Sequence, residues 1–207
     1  MSSFLHKCRH WVFDMDGTLT RPVHNFNYIR QQLKIPPEED ILEHLEGLPP
    51  AQARDAHQWL LEHEYQLAAN AELAPGADQL IQYLHLHQHS LAILTRNAYS
   101  LVAVTLEAIG LSAYFQPDNI FGREQAAPKP SPAGLLKIAS NWQVCPGQLT
   151  MIGDFHFDLS CARHAGAKSI LVNTQGNLWP GLSDLHTSSC QQLLQLLRNQ
   201  HNHHDRA

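Results

Sequence analysis

Apolar residues along this 207-residue chain fall into short strand-like runs and longer helix-like stripes, and the two alternate over most of its length. The first run, Trp11-Val12-Phe13, leads straight into Asp14-Met15-Asp16-Gly17. A buried strand is therefore predicted to end on two carboxylates one residue apart, at the edge where open α/β sheets place their ligands. Residues 21–74 interrupt the alternation. Helices are predicted there near 26–33, 38–46 and 51–69, separated by Pro36-Pro37 and by the stretch from Gly47 to Pro50. In the longest of them Ala53, Ala56, Leu60 and Leu67 lie near one face.

Beyond Pro75-Gly76 the pattern predicts a helix at 77–89, a short buried strand at 91–94, and a helix carrying Val102, Leu106 and Ile109 that closes at Gly110. A weak strand follows at 119–121. A helix at 132–142 repeats Leu135, Ile138, Ala139 and Trp142 at helical spacing, and a strand at 149–152 runs into Gly153-Asp154. A helix near 159–165, a strand at 169–172 and a terminal helix with Cys190, Leu193, Leu194 and Leu197 on one face complete the series. Strands separated by crossover helices imply a parallel sheet. The expected architecture is α/β: a doubly wound, Rossmann-like parallel sheet core from residues 1–20 and 75–207, with a small all-helical insertion, 21–74, after the first strand.

Composition narrows the function classes. With 43% hydrophobic residues the chain can bury one full core. Lys plus Arg number 14 against 19 Asp plus Glu, a formal net charge of −5, so no basic surplus exists to neutralise a nucleic-acid backbone. The cysteines, Cys8, Cys145, Cys161 and Cys190, are scattered without zinc-ligand spacing, which fits a reducing compartment. The opening MSSFLHKCRH holds no apolar signal region and no run is long enough to span a bilayer, so a cytoplasmic location and no membrane partner are expected. Histidine is over-used, with 15 copies, but His201, His203 and His204 read as a polar terminal segment rather than a metal site. No interface pattern stands apart from the core, so the oligomeric state is not legible.

Polar chemistry gathers in four segments at strand ends or just before helices: Asp14-Met15-Asp16-Gly17-Thr18, Leu94-Thr95-Arg96-Asn97, Ala127-Pro128-Lys129-Pro130 and Gly153-Asp154-Phe155-His156-Phe157-Asp158. Taken singly, each has an ordinary explanation: a turn aspartate, a helix cap, a surface lysine. Together they can hold a cation and an anion. Asp14 and Asp154 sit at the ends of strands expected to be neighbours and offer the carboxylates that Mg²⁺ prefers. Lys129, fixed between prolines, offers a point charge. Thr95 can present its hydroxyl, and Arg96 and Asn97 their backbone N–H groups, to an anion at a helix start.

In order and type these segments resemble the four motifs of the haloacid dehalogenase-like superfamily, and in detail its phosphatase branch related to phosphoglycolate phosphatases. The resemblance runs from Trp11 to about Asn173 and places the insertion where that family has a small helical cap. It implies a Mg²⁺-dependent phosphatase that hydrolyses a small phosphorylated metabolite, phosphoglycolate-like in the first instance, through an aspartyl-phosphate intermediate. Asp14 is then the nucleophile and Asp16 the acid and base; the family's dehalogenases are similar but lack that second acid. Thr95 and Lys129 would hold the phosphoryl group. Asp14, Asp154 and the backbone carbonyl of Asp16 would ligate the metal, with Asp158 in its outer shell.

Arg21, His24 and Arg123 are candidates for reading a second anionic group on the substrate. Phe155 departs from the small or hydroxylated residue frequent in the family and is expected to narrow the pocket. A phosphomutase would share every motif. A non-catalytic phosphate-binding or regulatory protein of this fold would be expected to have lost Asp14, Asp16, Lys129 or Asp154, and all are present.

Overall fold

The structure, a computed structural model, describes the backbone of residues 4–23 and 25–204 and the side chains up to residue 200 of that range. His24 and the side chains of the tail histidines lie outside the described residues.

Strand β1 (His10–Phe13) is the centre of the molecule. Trp11, Val12 and Phe13 all have zero exposure, which is why the run is apolar throughout rather than alternating. Trp11 and Phe13 pack on one side against Leu80 and Leu84 of α4 (Ala77–Leu86) and Leu193 and Leu194 of α8 (Cys190–His204). Val12 faces the other way, towards Leu135 of α6 (Ala133–Asn141) and Cys161 of α7 (His156–Ala165). The remaining strands are β2 (Ser90–Leu94), β3 (Ile120–Phe121), β4 (Leu149–Gly153), β5 (Lys168–Leu171) and β6 (Leu185–His186). They form one parallel sheet in the order β3-β2-β1-β4-β5-β6.

That order positions the site. The chain winds outward from β1 through β2 to β3, then crosses back to lay β4, β5 and β6 on the other side of β1. Phe13 pairs with Ile93 on one flank and Ile152 on the other, so the winding direction reverses between β1 and β4. A crevice opens at the carboxyl ends of strands at such a reversal. Asp14 leaves β1 and Asp154 leaves β4 at that point.

The segment between β1 and α4 is helical, as the sequence predicts: α1 (Phe26–Leu33), α2 (Ile41–Glu46) and α3 (Pro50–Ala69). They share a small apolar cluster of Ile29, Ile35, Leu42, Leu45 and Leu60. Farther along α3, Ala68 packs on Leu101 of α5 (Tyr99–Ala108). The two linkers to the sheet run side by side: Arg21 N–H donates to the Glu72 carbonyl at 2.8 Å, and Ala74 N–H to the Leu19 carbonyl at 2.9 Å.

Several boundaries differ from the sequence reading. Helix α4 stops at Leu86, short of 89, because Gln88 takes φ +59° and the His89 N–H returns to the Leu84 carbonyl. Helix α7 starts three residues early, at His156, where the Asp158 carboxylate accepts the Phe155 N–H at 3.1 Å and closes the first turn. Strand β6, two residues long, has no counterpart in the predicted pattern.

Candidate active site

The carboxylates of Asp14, Asp154 and Asp158 converge at the switch point, with one oxygen from each lying within 4.8 Å of the others. Asp14 is held by the sheet ladder itself, its N–H donating to the Ile152 carbonyl at 2.9 Å. Asp154 accepts a hydrogen bond from the Thr18 hydroxyl at 3.3 Å. The ammonium of Lys129, 2% exposed, donates to Asp14 at 2.5 Å and to Asp158 at 2.6 Å. Three segments far apart in sequence thus meet in one charged cluster.

The electrostatics of the cluster are unbalanced. Burial raises Asp14 well above the usual carboxylate range, opposed by the charge of Lys129 and reinforced by those of Asp158 and Asp154. Burial, then the charge of Asp158, pushes Asp154 up to about 7. Burial alone would depress Lys129, but Asp14 and Asp158 outweigh it and raise its pKa, so the lysine stays charged. Two like unit charges 4.8 Å apart repel by roughly 3.5 kcal/mol at an effective dielectric of about 20. Were all three carboxylates ionised, the one ammonium would leave two negative charges uncompensated. A hard divalent cation with oxygen ligands fits that donor set.

Glycines make the cluster geometrically possible. Gly17 has φ +79°, and a Cβ there would sit 2.2 Å from Asp154 Oδ2. A Cβ on Gly153 would sit 2.2 Å from Asp158 Cγ. The Gly153→Ala variant should therefore push the Asp158 carboxylate off Lys129 and lose about 1–3 kcal/mol of stability. Urea denaturation measures this, and an unchanged midpoint would mean that Asp158 shifts aside without cost.

The other predicted site residues divide. Asp16 turns away from the three-carboxylate cluster: it bridges to Thr20, and its Oδ2 accepts from the Asn97 side-chain amide at 2.5 Å. Thr95 is buried with its Oγ accepting the Asn97 N–H at 3.1 Å. That contact corrects the expectation that the Asn97 N–H faces an anion at a helix start. The helix α5 begins only at Tyr99, whose N–H is taken by Glu124 at 2.8 Å. Asp16, Thr95 and Asn97 nevertheless line a cavity of about 530 Å³ shared with Asp14, Lys129, Asp154 and Asp158.

The arginines are where the expectation and the structure part. Arg96 gives Nη2 to both oxygens of Asp40 at 2.7 Å and Nη1 to the Lys129 carbonyl, and it lies over the Phe157 ring at 4.6 Å. Asp40 in turn caps α2, accepting the Leu42 N–H at 3.0 Å. Arg96 thus ties the helical segment to the lysine loop while also lining the cavity. Arg123 binds both oxygens of Glu64 on α3, at 3.0 and 3.1 Å. Arg21 is exposed and pairs with Glu72 at 3.4 Å beside the linkers, and it does not line the cavity. His24 lies outside the described residues.

Two supporting residues escaped the sequence reading. The side-chain amide of Asn173 donates to the carbonyls of Gly17 and Thr18, at 2.8 and 2.9 Å, and clamps the turn after β1. Asp40 falls inside the helix expected at 38–46, a place that says nothing of the cap it makes or of its arginine partner.

The family profile described as haloacid dehalogenase-like hydrolase matches residues 11–172. A haloacid dehalogenase-like hydrolase domain-containing protein of Arabidopsis thaliana is 31% identical over 181 residues, covering 82% of this chain and 72% of that one. A phosphoglycolate phosphatase of Chromobacterium violaceum is 26% identical over 219 residues, covering 91% of this chain and 96% of that one. A solved hydrolase from Pseudomonas syringae has a TM-score of 0.75, covering 92% of this chain and 98% of its own at 20% identity, a likeness of fold. The profile begins on the strand that delivers Asp14 and ends beyond Asp158, so it takes in the whole charged cluster. The chain belongs to the haloacid dehalogenase-like hydrolase family.

Proposed function

We propose that this protein is a Mg²⁺-dependent phosphatase of small phosphorylated metabolites. The observation that carries the reading is the lysine-bridged carboxylate cluster at the floor of the cavity, with Asp14 facing Lys129 and Asp16 beside it on a separate hydrogen-bond partner. Relatives named phosphoglycolate phosphatase support the reaction class.

Asp14 is the nucleophile. Its carboxylate attacks phosphorus, the bond to the leaving oxygen breaks, and an aspartyl phosphate remains until water hydrolyses it. Asp16 lies two residues on, turned from the cluster towards Asn97, where it can give a proton to the leaving oxygen and later take one from water. Lys129 neutralises Asp14 and offers its remaining donor capacity to phosphoryl oxygens. Thr95 keeps its own hydroxyl proton for the same oxygens while its oxygen accepts from Asn97.

Asp14 and Asp154, with the Asp16 carbonyl, would hold Mg²⁺, and Asp158 would steady the arrangement from Lys129. Bound there, the metal supplies positive charge for the transferring phosphoryl group. Residues 21–74 form the cap, whose Arg96–Asp40 and Arg123–Glu64 pairs keep it seated over the cavity. Phosphoglycolate-like esters are the first substrates to try on the strength of the relatives' names.

Purified protein with Mg²⁺ should release inorganic phosphate from p-nitrophenyl phosphate. Excess EDTA should slow the reaction at least about 100-fold, with recovery on adding Mg²⁺, since a metal contributes several kcal/mol of charge stabilisation in such sites. Release that ignores the chelator would sink the metal assignment, and transfer without free phosphate would point to a mutase.

A further inference from the structure

The cavity is larger and less polar than phosphate chemistry alone requires. At about 530 Å³ it falls among sites that enclose drug-sized ligands, and a two-carbon ester would leave most of it empty. Away from the carboxylates its walls carry Phe155, His156 and Phe157 from the start of α7, and Phe26 and Ile29 from α1. Phe155 is 44% exposed and Phe26 56% exposed, both large apolar rings lining one cleft. Phe155 is also braced. Its ring meets Phe157 edge-on at 5.2 Å and Trp179 edge-on at 5.4 Å, so an aromatic surface stands pre-oriented before any ligand arrives.

The charges of the same cleft argue against a second anionic group. Arg96 is paired with Asp40, and Arg123 holds Glu64, which lines the wall. The remaining guanidinium on the wall, Arg30, donates Nη2 to the Glu39 carbonyl at 3.3 Å and leaves its buried Nε without a partner, but it shares the lining with Glu38, Glu39 and Asp40, whose carboxylates outnumber it. A carboxylate placed there would meet more negative charge than positive.

We infer that the natural leaving group is an alcohol bearing an uncharged flat ring, which stacks on Phe155 between the α7 and α1 walls, rather than a short carboxylated alcohol. The inference rests on the phosphatase reading, and it names the substrate class of the same site. Phe155 is then the specificity-determining side chain: it fills the cleft with a stacking surface instead of closing it.

The test compares kcat/KM for benzyl, cyclohexylmethyl and ethyl phosphate and for phosphoglycolate, whose leaving oxygens are all alkyl. Benzyl phosphate should lead ethyl phosphate and phosphoglycolate by about tenfold or more, and should exceed cyclohexylmethyl phosphate. The Phe155→Ala variant, checked for intact fold by circular dichroism, should shrink the benzyl-to-ethyl ratio severalfold, and Phe155→Tyr should keep it. A ratio that survives Phe155→Ala, or a preference for phosphoglycolate, would overturn the inference. Calorimetric binding of benzylphosphonate against ethylphosphonate separates the two readings. If no ester is hydrolysed, the phosphatase reading fails, while the phosphonate ranking still decides the ring site: tighter benzylphosphonate upholds it, and equal binding refutes it.

Discussion

Turnover of the Asp14→Asn variant is expected to fall by about four orders of magnitude or more, the scale seen when an enzyme loses its attacking group. The reasoning starts from geometry. Asp14 is 9% exposed, tied by its N–H to the Ile152 carbonyl and by its carboxylate to Lys129, so asparagine can occupy the same place without moving the backbone. What it cannot do is attack phosphorus as an anion. A loss of rate alone would not separate the nucleophile from a metal ligand, because Asp14 is proposed as both. Trapping makes the distinction: acid-quenched wild-type protein should retain phosphate from labelled substrate in an acid-stable, hydroxylamine-labile bond, and Asp14→Asn should retain none. A phosphorylated Asp14→Asn protein would move the nucleophile elsewhere.

The parts of this site that were legible in the sequence are those in which chemistry and chain position coincide. Asp14 and Asp154 follow apolar strands directly, and their meeting requires only that β1 and β4 be neighbours, which a doubly wound sheet supplies. Lys129 between its prolines belongs to the same class. The arginines were opaque for the opposite reason. Whether a guanidinium meets a ligand or a carboxylate of its own chain depends on residues far along the sequence, such as Asp40, which lies 56 positions from Arg96. Glu64 shows the same blindness from the other side: a charged residue on the buried line of α3 with Leu60 and Ala68, it is tolerable there because Arg123 reaches it from the turn after β3. Local periodicity registers it only as a break in the apolar stripe.

The start of α7 was misplaced because a side chain settles it. Asp158 reads from sequence as an acid one turn beyond Asp154. In the fold its two oxygens face different tasks, one accepting from Lys129 and the other from the Phe155 N–H, and the second contact starts α7 early. That shift brings Phe155, His156 and Phe157 together at the cavity wall. The same capping interaction therefore fixes the lysine and presents the rings.

Lys129→Met is the second variant with a large expected effect, and its consequence is stability as much as rate. Methionine matches the length and unbranched shape of lysine, so the packing survives, but Asp14 and Asp158 lose the ammonium that each contacts at about hydrogen-bond distance. Removing one partner from a buried charged cluster destabilises by about 3–5 kcal/mol, because the charges left behind are uncompensated. Rate should fall with it, by about 100-fold or more, since the transferring phosphoryl group loses a preorganised cation.

Two comparisons tell this electrostatic account from simple core damage. Adding Asp158→Asn to Lys129→Met should restore part of the lost stability, by about 1 kcal/mol or more, because the second change removes a charge that the first left exposed to repulsion. Saturating Mg²⁺ should raise the melting temperature of Lys129→Met by more than that of the wild type, since a divalent cation then faces three carboxylates without competition from the lysine. If the double variant is less stable than the single one, and Mg²⁺ shifts both proteins equally, Lys129 is a packing residue and the charge balance drawn from the cluster is wrong.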